Sequence, residues 1–213
     1  MTEQDGLLLV VSGPAGSGKS TLVDKIIVAD PTIRRAVTAT TRPPRPGEKD
    51  GVDYFFLDRQ EFTRRIDNGE FLEYTSFNHN NYGTPSRELA ANLHHGGVVV
   101  LVIEVEGAAA LKKAFPQALL VFILPPTRES LRHRLEGRGT ESPADIEKRL
   151  VIADTEISKI ENYHFLIAND NPEAAAADLG GIVKLARRFW INPGEAERWL
   201  KGYYAAWHSQ PEA

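Results

Sequence analysis

The segment "LLLVVSGPAGSGKSTLVDKIIVA", Leu7 to Ala29, carries the strongest structural signal in this chain. It opens with an apolar run of strand length, Leu7–Val11, and it closes with apolar residues at helical spacing, Thr21–Ala29. The segment between them, Gly13 to Thr21, fits the pattern G-x-x-x-x-G-K-[ST]. A glycine-rich turn between a strand and a helix points several backbone N–H groups towards one position. We therefore predict that this loop binds the phosphates of a nucleoside triphosphate.

Each residue type in this loop has its own task in phosphate binding. The glycines let the backbone turn, the Lys19 ammonium reaches the β- and γ-phosphates, and the Ser20 hydroxyl binds Mg²⁺ directly or through water. The alternative is a structural turn with a solvated lysine, and the strand and helix on either side of the motif favour the phosphate site over it. The predicted triphosphate-binding residues are Gly13, Pro14, Ala15, Gly16, Ser17, Gly18, Lys19, Ser20 and Thr21.

Three further apolar runs of strand length alternate with segments of helical period. They are Val98–Ile103, Ala118–Leu124 and His164–Ala168. This alternation is typical of an α/β fold in which helices cover both faces of a parallel sheet, so we predict a three-layer core. N-cap signals predict three more helices, with starts at Asp58, Thr84 and Ser142 and ends near Gly69, Gly96 and Glu161.

The segment from Thr38 to Arg87 breaks this alternation. It mixes turns, a short helix and strand-like pieces such as Glu70–Phe77, so we predict a small domain inserted into the sheet protein. Near the end of the chain, a last helix that carries Trp199, Tyr203 and Trp207 is expected to pack onto the core or onto a partner.

The composition excludes several classes of partner. Of the 213 residues, 42% are hydrophobic and 25% are charged, and the net charge is -4. Nucleic acids and anionic membranes favour a basic surface, so we expect neither as the main partner. The absence of cysteine excludes disulfides and thiolate metal sites and fits a reducing compartment, so we expect a cytoplasmic protein. The apolar runs Leu7–Val11 and Val98–Ile103 are too short for a signal peptide or a membrane span.

A second phosphate-binding element is predicted in "TTRPPRPGEKDGVDYFF", Thr40 to Phe56. Its prolines exclude a helix interior and a central strand, and Pro43 and Pro44 separate Arg42 from Arg45. Two guanidinium groups on a stiff arm suit an anion, because little conformational entropy is lost when they bind it. The loop thus predicts that a triphosphate binds, and the arm predicts that a second phosphorylated ligand meets it.

These two motifs and five shorter ones resemble the guanylate kinase family from about Leu7 to Leu185. The shorter motifs follow in order as "GEFLEY", "NYGT", "FILPP", "RLEGRGTES" and "IAND". The resemblance implies reversible transfer of the ATP γ-phosphoryl group to GMP, giving ADP and GDP, with Mg²⁺ as cofactor. It also implies a P-loop kinase core, an inserted nucleoside-monophosphate-binding subdomain and a mobile lid. The predicted division is core 1–37, 88–133 and 151–189, GMP-binding insert 38–87, lid 134–150 and C-terminal helical extension 190–213.

The resemblance implies which side chains hold the two ligands. Those expected at the GMP phosphate are Arg42, Arg45, Tyr54 and Tyr82. Those expected around the guanine are Thr38, Glu73, Gly83, Thr84 and Glu104. Those expected to close over ATP are Arg134, Arg138 and Arg149, with Asn169 near the adenine. The predicted catalytic residues are Lys19, Arg42, Arg138 and Arg149.

Three differences from the family pattern stand out. Val102 occupies a strand-end position that is usually Asp or Glu, so one carboxylate is missing there. Glu106 stands where glutamine is common and is a candidate to replace that charge. Thr38 and Thr84 stand where serine is common, and both keep the hydroxyl group.

Two other functions stay open at this point. Guanylate-kinase-like domains of scaffolding proteins bind phosphopeptides without catalysis, although the intact Gly18, Lys19 and Ser20 favour an enzyme. A kinase for another phosphorylated acceptor, such as a sugar phosphate, is the second alternative, and Val102 keeps it open. The arginines between Arg128 and Arg149 could also form a solvated helix face paired with glutamates. Both a monomer and a homo-oligomer are compatible with the sequence.

Overall fold

The first strand, β1, Leu7–Ser12, lies in the middle of a parallel sheet. The structure is a computed structural model, and it describes residues 6–77, 79–93, 97–137 and 142–189. Within these residues the sheet is completed by β2, Ile33–Arg35, β7, Val98–Val102, β8, Leu119–Leu124, and β9, Phe165–Ala168. The spatial order of the strands is β2-β7-β1-β8-β9.

Helices lie on both sides of this sheet. Their bounds are α1, Lys19–Ala29, α2, Arg59–Asp67, α3, Ser86–Leu93, α4, Val105–Ala114, α5, Arg128–Glu136, α6, Pro143–Ile157, and α7, Pro172–Phe189. Leu9 and Val11 of β1 lie in one core with residues of α1 and α7, whereas Leu8 and Val10 lie in the other core with residues of α3 and α4. Successive side chains of a strand point to opposite faces, so a strand that serves two cores is apolar throughout. The predicted α/β fold is therefore confirmed.

A second sheet is built from residues 38–85. Its strands, in the described part of the chain, are β3, Thr38–Thr40, β4, Tyr54–Phe56, β5, Phe71–Phe77, and β6, Asn80–Pro85, in the order β4-β3-β6-β5. Phe62 of α2 is fully buried beneath this sheet, and its ring centroid lies 4.6 Å from that of Phe71. The segment that the sequence predicts as an insert thus has its own sheet and its own apolar contact.

Two of the predicted helix starts are confirmed by capping contacts. The Asp58 carboxylate accepts a hydrogen bond from the Glu61 N–H at 2.7 Å, and the Ser142 hydroxyl accepts one from the Asp145 N–H at 3.2 Å. The predicted end of the last of these helices is too late. It ends at Ile157, and a 3-10 turn follows at residues 160–162.

The predicted helix start at Thr84 is wrong. Thr84 and Pro85 are the last residues of β6, where they pair with Glu73 and Phe71, and α3 starts at Ser86. The Thr84 hydroxyl donates a hydrogen bond to the Glu73 carboxylate at 2.6 Å, so it does not cap the helix. Pro85 is tolerated because the strand ends there and no further backbone N–H is needed.

Some sequence predictions fall outside the described residues. Arg138 does, as does the expected helix with Trp199, Tyr203 and Trp207. In the ranges that are described, no helix is both long and apolar enough to cross a membrane.

Candidate active site

The loop between β1 and α1 has the backbone geometry that its motif predicts. Gly13, Gly16 and Gly18 have φ angles of 135°, 92° and 96°, in the region that favours glycine. A Cβ atom at Gly18 would lie 2.2 Å from Nδ2 of Asn169, so a larger residue there would have to displace the Asn169 amide. Gly18 is the left-handed N-cap of α1, and the helix therefore starts at Lys19, earlier than predicted.

Lys19 lies over the mouth of this loop. Its Nζ donates hydrogen bonds to the carbonyl oxygens of Gly13 at 2.6 Å and of Pro14 at 3.0 Å. The ammonium group is therefore held beside the N-terminus of α1. The positive charge and the helix dipole both favour an anion at this place.

Asn169 and Arg134 hold the far side of the loop. Asn169 is 2% exposed and donates from Nδ2 to the Ser17 carbonyl at 2.7 Å. Arg134 of α5 donates to the Asn169 carbonyl at 2.7 Å and to the Ser17 carbonyl at 3.4 Å. Arg134 and Asn169, two of the residues predicted on the ATP side, are thus in contact with the loop. Oδ1 of Asn169 is buried without a hydrogen-bond partner among the described residues.

Arg42 is fixed at the root of the proline-rich arm. Its guanidinium donates to Glu48 Oε1 at 2.9 Å and to the Pro43 carbonyl at 2.6 Å. It also lies over the rings of Tyr54 and Phe56, with centroid distances of 5.4 and 5.8 Å. The arm therefore presents a guanidinium group whose orientation is set in advance.

Glu48 is the residue of the arm that sequence reasoning did not assign. Its second carboxylate oxygen, Oε2, accepts a hydrogen bond from the Arg45 N–H at 2.7 Å. Burial raises the pKa of Glu48, but the hydrogen bonds from Arg42 and Arg45 outweigh it and leave the pKa below its usual value. Its position in the proline-rich motif, close to two arginines, was the sequence feature that could have predicted this contact.

Glu73 is a buried carboxylate on β5. It is 7% exposed, Oε1 accepts the hydrogen bond from Thr84, and Oε2 has no partner among the described residues. Burial raises the pKa of Glu73 to about 7, against the opposing effect of the Thr84 hydrogen bond. A small cavity lies against it, lined also by Thr38, Gly83 and Glu104.

The missing carboxylate at Val102 is not replaced by Glu106. Val102 lines the cavity next to Glu104, whose buried Oε2 has no hydrogen-bond partner in the described ranges. Glu106 instead forms an ion pair with Lys159 on the surface. Because Glu106 forms this ion pair and does not line the cavity, its carboxylate does not occupy the place of the missing one.

A different buried carboxylate, Glu156, faces the same region. It is 7% exposed on α6, where it continues the buried stripe of Ile146, Leu150 and Ala153. Burial and the charge of Glu104 raise the pKa of Glu156 to about 7, although Lys19 opposes the shift. Sequence reasoning missed this residue, and its place in an otherwise apolar helical stripe was the signal that could have revealed it.

One cavity joins the phosphate loop to the arm. Its walls include Lys19 and Ser20 from the loop, Arg42 and Arg45 from the arm, and Arg149 from α6. Tyr54, Tyr82 and Glu104 line both this cavity and the smaller one at Glu73. Asn80 lines it too, although no sequence motif marked it. The structure thus brings together residues from five segments that are separated in sequence.

The arginines between residues 128 and 149 divide into two groups. Arg128 and Arg132 form ion pairs with Asp154 at 3.3 Å and Glu147 at 2.5 Å, so the alternative of a paired helix face holds for them. Arg134 and Arg149 instead lie at the loop and at the cavity.

A phosphate loop at the carboxyl edge of a parallel sheet, faced by a second cationic arm, defines a P-loop phosphotransferase with two phosphorylated ligands. The protein-family model for guanylate kinase matches residues 6–185. The chain belongs to the guanylate kinase family, as the resemblance predicted.

Similar proteins agree with this assignment. The guanylate kinase of Clostridioides difficile is 44% identical over 183 residues, which cover 86% of this chain and 89% of that protein. The guanylate kinase of Thiobacillus denitrificans is 42% identical over 200 residues, with 94% and 93% covered. Among solved structures, guanylate kinase from Anaplasma phagocytophilum superposes with a TM-score of 0.73 at 34% identity, covering 87% of this chain and 88% of that one.

Proposed function

We propose that this chain catalyses the reversible, Mg²⁺-dependent transfer of the γ-phosphoryl group of ATP to GMP, giving ADP and GDP. The observation that carries the proposal is the shared cavity, in which Lys19 and Ser20 face Arg42 and Arg45. The adjoining cavity contains the buried Glu73, which suits a base with hydrogen-bond donors. The similar proteins are named for the same activity.

The donor nucleotide is assigned to the loop side. The loop N–H groups and Lys19 would hold the β- and γ-phosphates. Asn169 would lie near the adenine, where its Oδ1, which has no hydrogen-bond partner in the described part of the chain, can accept from the exocyclic amine. Arg134, Arg138 and Arg149 are proposed to close over ATP from the lid.

The residues of the loop also fit a magnesium ion. The Ser20 hydroxyl lies on the cavity wall beside Lys19, where the phosphates are proposed to bind. The described ranges contain no group of three or more His, Cys, Asp or Glu that could hold a metal by itself. Mg²⁺ commonly keeps several waters and is bound through substrate phosphates with few protein ligands, which suits this arrangement. When bound, the ion would neutralise charge on the transferred group.

The acceptor is assigned to the arm and the adjoining cavity. Its phosphate would bind Arg42, Arg45, Tyr54 and Tyr82, and its base would meet Thr38, Glu73, Gly83, Thr84 and Glu104. An ionised Glu73 can accept from the guanine ring N–H and amine together. Adenine has no such pair of donors, so it would leave a buried charge unpaired.

The transfer needs no protein general base. The γ-phosphorus loses its bond to the bridging oxygen of ADP and gains one to a phosphate oxygen of GMP, which is already an anion. The protein contributes in-line positioning and neutralises charge through Lys19, Arg42, Arg138 and Arg149. Lid closure would exclude water, which otherwise competes as acceptor.

The use of GMP should depend on the charge of Glu73. Its pKa of about 7 means that the carboxylate loses its charge as the pH falls through that value. We expect the KM for GMP to rise roughly tenfold between about pH 8 and about pH 6, because a protonated Glu73 cannot accept both guanine hydrogen bonds. The same raised pKa favours the folded state at low pH, and this contribution to stability is lost as the pH rises through about 7.

The control for this prediction is Glu73→Gln. The GMP phosphate titrates in the same pH range, and it does so equally for both proteins. The variant should show a high KM for GMP whose remaining pH dependence is only that of the nucleotide. Equal pH profiles in the two proteins would remove Glu73 from the guanine site.

Gly107→Ala should weaken the use of GMP without lowering the stability of the fold. A Cβ atom at Gly107 would lie 3.2 Å from Glu73 Oε2, while Thr84 holds the other oxygen in place. We expect the KM for GMP to rise about tenfold. The added methyl group would push the Glu73 carboxylate out of the position in which it accepts the guanine hydrogen bonds. Alanine is the better helix former, so the melting temperature should stay equal or rise. A raised KM with an unchanged KM for ATP supports the assignment, whereas unchanged GMP kinetics contradict it.

The reaction itself is tested by ADP formation from ATP and Mg²⁺ with a panel of acceptors. The panel contains GMP, AMP, UMP and a sugar phosphate. We expect GMP to be strongly preferred. No turnover with any acceptor would favour a phosphopeptide-binding module instead, and preference for the sugar phosphate would overturn the role of Glu73.

The division of the chain and its location are part of the same proposal. We assign residues 38–87 to the GMP-binding insert and 134–150 to the lid, between segments of the core. The cytoplasm is the proposed site of action, and neither nucleic acid nor a membrane is proposed as a partner.

A further inference from the structure

An apolar groove runs between α1 and α7. Ile26 of α1 lines one side, and Ala177, Gly180 and Val183 of α7 line the other. The groove shares no residue with the cavity of the phosphate loop and the arm. It is therefore a surface that the phosphoryl transfer does not use.

Small residues keep this groove open. A Cβ atom at Gly180 would lie 3.9 Å from Cγ2 of Ile26, an ordinary contact distance, so the packing of the two helices does not require glycine. Ala177 is exposed on the same helix face. Ion pairs cross the rim, with Lys25 to Glu173 and Arg187 to Asp30 each at 2.8 Å. A floor of small apolar residues between charged rims suits an amphipathic segment with large side chains.

We propose that residues 190–213 of this chain fold back along α7 and cover the groove with a short helix. α7 ends at Phe189, and Arg187 lines the groove close to that end. The next residues, "WINPG", contain the turn signal Asn-Pro-Gly, which ends a helix and reverses the chain. The segment that follows is therefore delivered to the rim of the groove by its covalent connection.

The pattern of the segment matches the groove. Trp199, Tyr203 and Trp207 recur at every fourth position, so they share one face of a helix. A helix over residues 195–207 would be about 20 Å long, which is enough to reach past Gly180, about 14 Å along α7 from Phe189. An antiparallel path then brings Tyr203 beside Gly180.

The proposed helix depends on the groove for its stability. A helix of this length is marginal alone in water, so it forms only where a surface buries its apolar face. Each of its aromatic side chains can bury roughly 150–250 Å². Because α1 carries the phosphate loop at its start, the covering segment would brace the donor side without contacting a substrate.

The three tryptophans of the chain provide the test, because Trp190, Trp199 and Trp207 all lie in the proposed segment. The full-length protein is compared with Ala177→Arg, which puts a long cation on the groove floor. Gly181→Arg is the control, since Gly181 is exposed, has nothing within 4 Å of an added Cβ and does not line the groove. Tryptophan emission, acrylamide quenching and melting temperature are measured at several protein concentrations.

We expect only Ala177→Arg to shift the emission to longer wavelength and to increase quenching. Its melting temperature should fall by about 2–4 °C relative to the parent chain. Identical spectra for the two variants would overturn the proposal. A change in emission that follows dimer dissociation with dilution would also overturn it, because the occupant of the groove would then be a second copy. The outcome does not depend on which phosphate acceptor the enzyme uses.

Discussion

Lys19→Met is expected to abolish phosphoryl transfer, with kcat lowered by about 10³-fold. The Lys19 ammonium lies at the mouth of the phosphate loop, held by the Gly13 and Pro14 carbonyls. Methionine has a side chain of similar length without the charge, so it fills the same space but cannot donate these two hydrogen bonds. The loss should appear in kcat more than in the KM for ATP, because the charge matters most where negative charge moves in the transition state.

The comparison variant for Lys19→Met is Lys113→Met, a change of the same type at an exposed position of α4. It should transfer phosphate at the parent rate. Circular dichroism and melting temperature establish that both variants are folded. If Lys19→Met retained more than about a tenth of kcat, Lys19 would not be the charge that acts on the transferred group.

Arg42→Met is expected to lower kcat/KM for GMP by about 10²-fold, with the affinity for ATP nearly unchanged. The Arg42 guanidinium is oriented by Glu48 and by the rings of Tyr54 and Phe56. Its removal deletes a charge-assisted contact with the acceptor phosphate. Equal losses for GMP and ATP would instead indicate general damage to the fold. Arg64→Met, at an exposed ion pair of α2, is the matched control.

Part of the loss of GMP affinity in Arg42→Met should come from Glu48, whose carboxylate loses its ion-pair partner. Glu48 has a side chain that is 19% exposed, and without Arg42 its charge would face the incoming phosphate. The double variant Arg42→Met/Glu48→Gln should therefore recover part of the lost GMP affinity, because the repulsion is removed. A double variant that binds GMP worse than Arg42→Met would show that Glu48 acts through the shape of the arm and not through its charge.

Local patterns in the sequence were sufficient to predict the first strand, the phosphate loop and the first helix of the core. The run from Leu7 to Val11, the glycine loop and the helix after it form one continuous signal, and the structure has β1, the loop and α1 there. The caps at Asp58 and Ser142 were equally local, since each involves a backbone N–H three residues away. Thr84-Pro85 was wrongly predicted as a helix start because the same pair of residues can start a helix or end a strand. Pairing with β5 makes it the end of a strand.

Contacts between distant segments decided the features that local sequence patterns could not predict. β2 is three residues long, too short for any periodicity, and it exists because Ile33–Arg35 pairs with β7. Glu106 and Glu156 are both acidic residues in helices, yet one forms an ion pair on the surface and the other is buried. The apolar stripe that contains Glu156 hints at its burial, but the fold decides it, because burial depends on which helix face the rest of the chain covers.

Contiguous residues with a fixed chemical task were enough to predict the phosphate loop, the cationic arm and the family. Three features required the folded chain: Glu48 orients Arg42, Thr84 holds Glu73, and burial raises the pKa of Glu73 to about 7. A motif states which groups a site contains. The solvation and the hydrogen-bond partners of those groups come from segments far away in the chain, and these set the charge that each group carries.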